Sequence, residues 1–224
     1  MDLPSEMPVM ILTNATLFPQ AFLPLRIFEP RYRRMLEDSL DSHRMFAVAM
    51  QKAGHHRETP HPVAGLGLVR ASVTARDGTS NLILQGLTRI ELAETVRYRP
   101  YRVHRVRPLV STVQNSVAAD ALTAKVLELV TERLQQASEP PEPPAPGPEA
   151  EALDDPALAP PPEPKTASIL TRLDRPDEVA DLVSWTLLGD PLQRQVLLET
   201  LDVELRLRRL IQFLMGDRQG PTTN

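Results

Sequence analysis

In the first half of the chain apolar residues come in short runs broken by turn formers. Residues 9–12 and 21–27 are two such runs, punctuated by Pro19 and Pro24. Proline donates nothing to a ladder, so the pattern predicts edge or bulged strands rather than a central parallel sheet. Residues 45–50, 63–73, 81–92 and 101–106 read as further strands, and Arg76-Asp77-Gly78-Thr79 supplies a hairpin turn in which glycine accepts positive φ. Leu82 and Leu84 alternate, as do Ile90 and Leu92, which leaves Arg89 and Glu91 on the other face. Six strands joined by turns predict a small barrel or sandwich.

Helical spacing replaces alternation in three places. Pro30 suits the first helical position, Glu29 sets a carboxylate at the positive end of the dipole, and Tyr32, Met35, Leu36 and Leu40 then share a face. A second helix is expected over 116–136, with Leu122, Val126, Leu129, Val130 and Leu134 as its stripe. Toward the C-terminus Val179, Leu182, Val183 and Thr186 form one face of a helix ending near Gly189. Asp190-Pro191 opens the next, and Asp202 starts a third, with Val203, Leu207, Leu210, Ile211 and Leu214 buried and Gly216 ending it. Such a bundle is more stable docked on another surface than alone.

Composition divides the chain. Eleven of its 23 prolines fall between residues 140 and 164, and residues 139–164 hold seven acids and no Lys or Arg. A segment of this kind does not bury enough apolar surface to offset ordering, so it reads as an extended linker. Without it the net charge moves from −4 to +3, too little for the concentrated field of a duplex-DNA binder. The expected organisation is a β lobe over 1–115, a bridging helix over 116–138, a Pro/acid-rich linker over 139–165, a helical subdomain over 166–216 and a tail over 217–224. No run approaches the ~18 apolar residues of a membrane span, and no basic, signal-like N-terminus is present, so a cytoplasmic location is expected.

Catalytic chemistry finds little to work with. Zero Cys removes thiolate metal sites and a cysteine nucleophile, and no Gly precedes Lys as a phosphate-cradling loop requires. His55, His56 and His61 cluster, and His56-Arg57-Glu58 imitates the start of a zinc-deaminase signature that a Cys-free chain does not complete. They read as a polar loop. No catalytic residue, metal or cofactor is expected, nor ATP hydrolysis or peptidase activity.

Two stretches carry a specific resemblance. Leu17-Phe18-Pro19 and Leu23-Pro24-Leu25-Arg26-Ile27-Phe28-Glu29-Pro30-Arg31-Tyr32-Arg33, then Asp77-Gly78, Leu82-Ile83-Leu84-Gln85-Gly86-Leu87-Thr88-Arg89-Ile90 and Tyr101-Arg102-Val103, resemble the N-terminal domain of the Lon protease family. Glu178-Val179-Ala180-Asp181-Leu182-Val183 and residues 193–203 with Arg206-Leu207 are similar to the helical half of that domain. The resemblance implies an α+β fold, a PUA-like small β-barrel lobe with one inserted helix followed by a helical subdomain. It also implies substrate recognition without the ATPase and Ser–Lys peptidase of full-length Lon.

Candidate partners are therefore unfolded proteins or peptides, an ATP-dependent protease and a second copy of the chain. Phe18, Phe22, Leu23 and Tyr101 are the candidate peptide-binding residues. Phe22, between Pro19 and Pro24, is the one expected to be exposed, beside an edge to which an extended peptide adds a strand. The competing reading is an RNA- or nucleotide-binding PUA-like module, carried by Arg97, Arg99, Arg102, Arg105 and Arg107 with Tyr98 and Tyr101. Regular alternation puts Arg99, Tyr101, Val103, Arg105 and Arg107 on one face, mixing apolar and basic positions.

Overall fold

A computed structural model describes residues 3–54, 58–138 and 175–216. Six strands, β1 (Glu6–Leu12), β2 (Phe22–Ile27), β3 (Met45–Met50), β4 (Val63–Thr74), β5 (Ser80–Arg97) and β6 (Arg102–Leu109), form one sheet in the order β2-β5-β4-β3-β1-β6. β6 also pairs with β5, closing a five-stranded barrel to which β2 is added outside. All pairs are antiparallel except β1 with β3, where helix α1 (Pro30–Leu40) lies within the crossover. β4 and β5 outrun the short strands expected, because register shifts near Leu66, Val69 and Leu92 let each bend around the barrel. β5 thereby pairs with β2 through its first half and β6 through its second.

The barrel interior is filled by every second residue of its strands: Met7, Val9 and Ile11, then Met45, Ala47 and Ala49, with Ala64, Leu66, Ile90, Leu92 and Val106. A second cluster covers the outside under α1, where Tyr32, Met35 and Leu36 meet Met10, Phe46 and Val48, and it continues into the helices. β3 is consequently buried on both faces. Leu17 and Phe18 cross the outside so closely that a Cβ on Gly65 or Gly86 would collide with the carbonyl oxygen of Leu17 or Phe18 respectively. The 76–79 turn forms as expected, with Gly78 at φ 79° and Asp77 Oδ1 accepting from the Thr79 amide at 2.9 Å.

Helix α2 (Ser116–Ser138), which follows β6, packs on α3 (Pro176–Leu187) and α5 (Val203–Gly216), with α4 (Pro191–Glu199) completing the subdomain. Asp190 caps α4 by accepting from the Leu192 amide at 2.8 Å, and Asp202 accepts from the Leu205 amide at 2.9 Å. Glu29 makes no such cap. It binds Arg31 Nε instead, at 2.8 Å. The expected linker, residues 166–174, the tail and His55 and His56 lie outside the described residues, whereas His61 is paired with Glu199 at 2.9 Å.

Alternation set Arg89 on the face opposite Ile90 and Leu92, and there only 3% of it is exposed. It stands on β5 between Gly65 of β4 and Leu109 of β6, over the Phe18 ring, and the helices cover it. Its Nη1 and Nη2 donate to Asp181 of α3 at 2.7 and 2.5 Å, and its Nε donates to the Leu198 carbonyl at 2.9 Å. Arg206 of α5, fully buried, donates to the same carboxylate at 3.0 Å, to the Thr200 carbonyl at 2.7 Å and to Ser111 Oγ at 2.8 Å. Desolvation lowers the Arg206 pKa to about 10 even beside Asp181. Thr112 pairs with Asp202 and Gln195 Nε2 donates to the Val63 carbonyl, so the helices are seated on the barrel at several points.

Candidate recognition surface

β2 sits at the sheet margin and pairs with a single strand among the described residues. Its odd positions Leu23, Leu25 and Ile27 turn inward. Phe22, Pro24 and Arg26, with Phe28 just beyond, are exposed. Register places Pro24 beside Ile83 and Ile83 beside Ala71, while Arg26 aligns with Asn81 and Asn81 with Val73. Phe22 (54%), Phe28 (60%), Ile83 (37%) and Val73 (72%) thus share an exposed, largely apolar face in which Arg26 and Asn81 also lie. An isolated exposed side chain needs no explanation, but a contiguous patch marks an interaction surface.

The hydrogen-bond phase decides how that margin is usable. Gly86 donates to the Ala21 carbonyl at 2.8 Å and accepts from the Gln20 amide at 2.9 Å. Alternation then turns the Leu23, Leu25 and Ile27 amides toward β5, and Phe22, Pro24 and Arg26 toward the free edge. Pro24 therefore costs no bond to β5 and removes the central donor from the edge. An added strand would pair poorly here, and the exposed side chains are the better contact surface.

Of the four candidate residues, only Phe22 has its side chain on the surface. Phe18 is completely buried beneath Arg89, and Leu23 points into the cluster under α1. Tyr101, 5% exposed, donates to Asp38 at 2.7 Å. Ile83, Val73 and Phe28 were missed as surface residues. For Phe28 the signal was available, because it continues the even-numbered positions of β2.

The arginine-rich strand is also rearranged. β6 begins only at Arg102, so Tyr101 does not share the outward face of Val103, Arg105 and Arg107. Arg105 pairs with Glu94 at 3.0 Å and Arg107 with Glu91 at 3.3 Å, which neutralises much of the basic stripe. A separate pocket of about 310 Å³ is lined by Arg31, Tyr32, Glu58 and residues 98–102 above Val9 and Ile11. Arg31 is held there by Glu58 at 2.6 and 2.7 Å, an ion pair that lowers the Glu58 pKa.

A closed small barrel carrying a docked helical subdomain and an apolar side-chain surface defines a recognition module. The chain belongs to the family of the ATP-dependent protease La (LON) substrate-binding domain, whose sequence model matches residues 6–216. It is 25% identical over 216 residues to a Lon protease of Dictyoglomus thermophilum and 25% identical over 225 residues to one of Roseiflexus castenholzii, covering 95% and 97% of this chain. The chain spans about a quarter of the length of these relatives, 24% and 25% respectively. Among solved structures, the N-terminal domain of Mycobacterium avium complex Lon protease superposes with a TM-score of 0.70 at 17% identity, covering 94% of this chain and 98% of that one. A Lon N-terminal domain protein from Xanthomonas campestris gives 0.58 at 20% identity, covering 94% and 99%. These structures share the fold.

Proposed function

We propose that the chain recognises unfolded proteins or peptides through the exposed face of Phe22, Pro24, Ile83, Val73 and Phe28, and performs no chemistry of its own. Membership of a substrate-binding family supports recognition. The observation that carries this reading is the apolar face at a proline-blocked margin, which favours side-chain burial over strand addition. Contacts of this kind give broad sequence tolerance, as a recogniser of unfolded clients requires. The relatives' names suggest an ATP-dependent protease as the partner receiving the client, in the cytoplasm. Among the described residues no helix is long and apolar enough to cross a membrane.

Fluorescence anisotropy with labelled, reduced and carboxymethylated α-lactalbumin tests this reading. Binding is expected in the micromolar range and with little salt dependence. Phe22→Ala should weaken it about fivefold, since reburying roughly half of one aromatic side chain is worth ~1 kcal/mol. Unchanged affinity in Phe22→Ala and Ile83→Ser would remove this face. Steep weakening with salt would instead identify nucleic-acid-like electrostatics.

A further inference from the structure

The pocket beside α1 is chemically unlike the apolar face. Three of its polar groups are already satisfied. Arg31 is bound by Glu58 and Glu29, the Tyr32 hydroxyl both donates to and accepts from the Ile11 backbone at 3.1 Å, and the Tyr101 hydroxyl donates to Asp38. Arg99 and Arg102 are different. Neither has a carboxylate within ion-pair distance among the described residues, and Arg102 lies 5.3 Å over the ring of Tyr98, which is 64% exposed. Two arginines without a carboxylate within ion-pair distance thus line a pocket shared with Tyr98 and Pro100, although Arg102 is close enough to Glu58 to help lower its pKa.

We propose that this pocket takes the C-terminal carboxylate of a peptide, with the last side chain against Tyr98 and Pro100. Charge favours a single negative group. Arg31, Arg99 and Arg102 against Glu58 leave the lining at +2, but Glu58 is ionised in the wall and repels a dianionic phosphate. Two arginine forks match the planar geometry of a carboxylate. About 310 Å³ is the lower end of small-ligand pockets and suits a chain end rather than a chain passing through. The proposal rests on the peptide-recognition reading above and adds a second, end-specific contact to it.

The probes are a fluorescein-labelled nonapeptide ending Ala-Ala-Leu as its free acid, and the same peptide amidated. The acid should bind at least about tenfold tighter, since it alone offers charge-assisted bonds. Arg99→Ala, at an exposed position outside any strand, should reduce that preference, and Arg99→Ala with Arg102→Ala should abolish it at an unchanged melting temperature. Millimolar acetate should displace the acid peptide more effectively than inorganic phosphate.

Equal binding of acid and amide overturns the proposal and leaves the client reading intact, as does failure of both peptides while unfolded α-lactalbumin binds. Retained preference in the double variant, or stronger displacement by phosphate, overturns the assignment to a carboxylate. Phe22→Ala should weaken both peptides by one common factor, because it acts through the other surface.

Discussion

Replacing Asp181 with Asn leaves the shape of the helix–barrel junction but removes the carboxylate shared by two buried guanidinium groups. Side-chain exposure is 6% for Asp181, 3% for Arg89 and 0% for Arg206, so water does not substitute for the lost charge. The Asn amide nitrogen would also face an arginine donor at 2.5–3.0 Å. Breaking a buried pair in this way costs about 3–5 kcal/mol, a large part of the ~5–15 kcal/mol that holds a domain folded. For a chain of this size that is a fall of ~10 °C in the melting temperature. Urea unfolding should be followed by far-ultraviolet circular dichroism and by fluorescence of Trp185, the single tryptophan, which lies on the same helix. As a control, Arg34→Ala removes two surface ion pairs, with Glu37 and Asp38, and should change stability by less than ~1 kcal/mol. A loss under ~1 kcal/mol in Asp181→Asn would refute the claim that this carboxylate compensates the buried arginines.

Two further outcomes are expected. Gly86→Ala should destabilise by ~3 kcal/mol or more, because the Phe18 carbonyl occupies the space of the new methyl group, while Gly189→Ala, with nothing within 4 Å, should be neutral or slightly stabilising in the same melting assay. His104 is buried, and desolvation lowers its pKa below the usual 6.5. The unfolded chain therefore takes up a proton before the folded one does, and stability from this group falls as pH drops through the usual value toward the folded pKa. A His104→Gln variant should show a smaller loss of urea midpoint between pH 7.5 and 5.5 than the parent, and an equal loss would contradict the assignment.

Alternation and turn chemistry made the barrel legible, because Asp77-Gly78, the Pro24 margin and the helix-opening Pro30 and Pro191 act locally. The burial of Arg89 was not legible, for the opposite reason. Local alternation distinguishes two faces of β5, but whether the outer face meets water depends on helices nearly a hundred residues away. Phe18 and Tyr101 show the same limit, since an aromatic beside prolines looks alike whether another element covers it or not. The carboxyl-end pocket was equally hidden: Arg31, Glu58 and Arg102 belong to separate segments, and only closure of β1 against β6 brings them together.

Arg89 also has a consequence for cooperativity. It occupies the row where β5 is held by β4 on one side and by β6 on the other, so its guanidinium reaches its final position only once the barrel seam is shut. The helices therefore dock on something that does not exist in a half-assembled sheet. Unfolding of the seam and release of the helices become one event, so hydrogen exchange in β5 and in the docked helices should share one opening free energy.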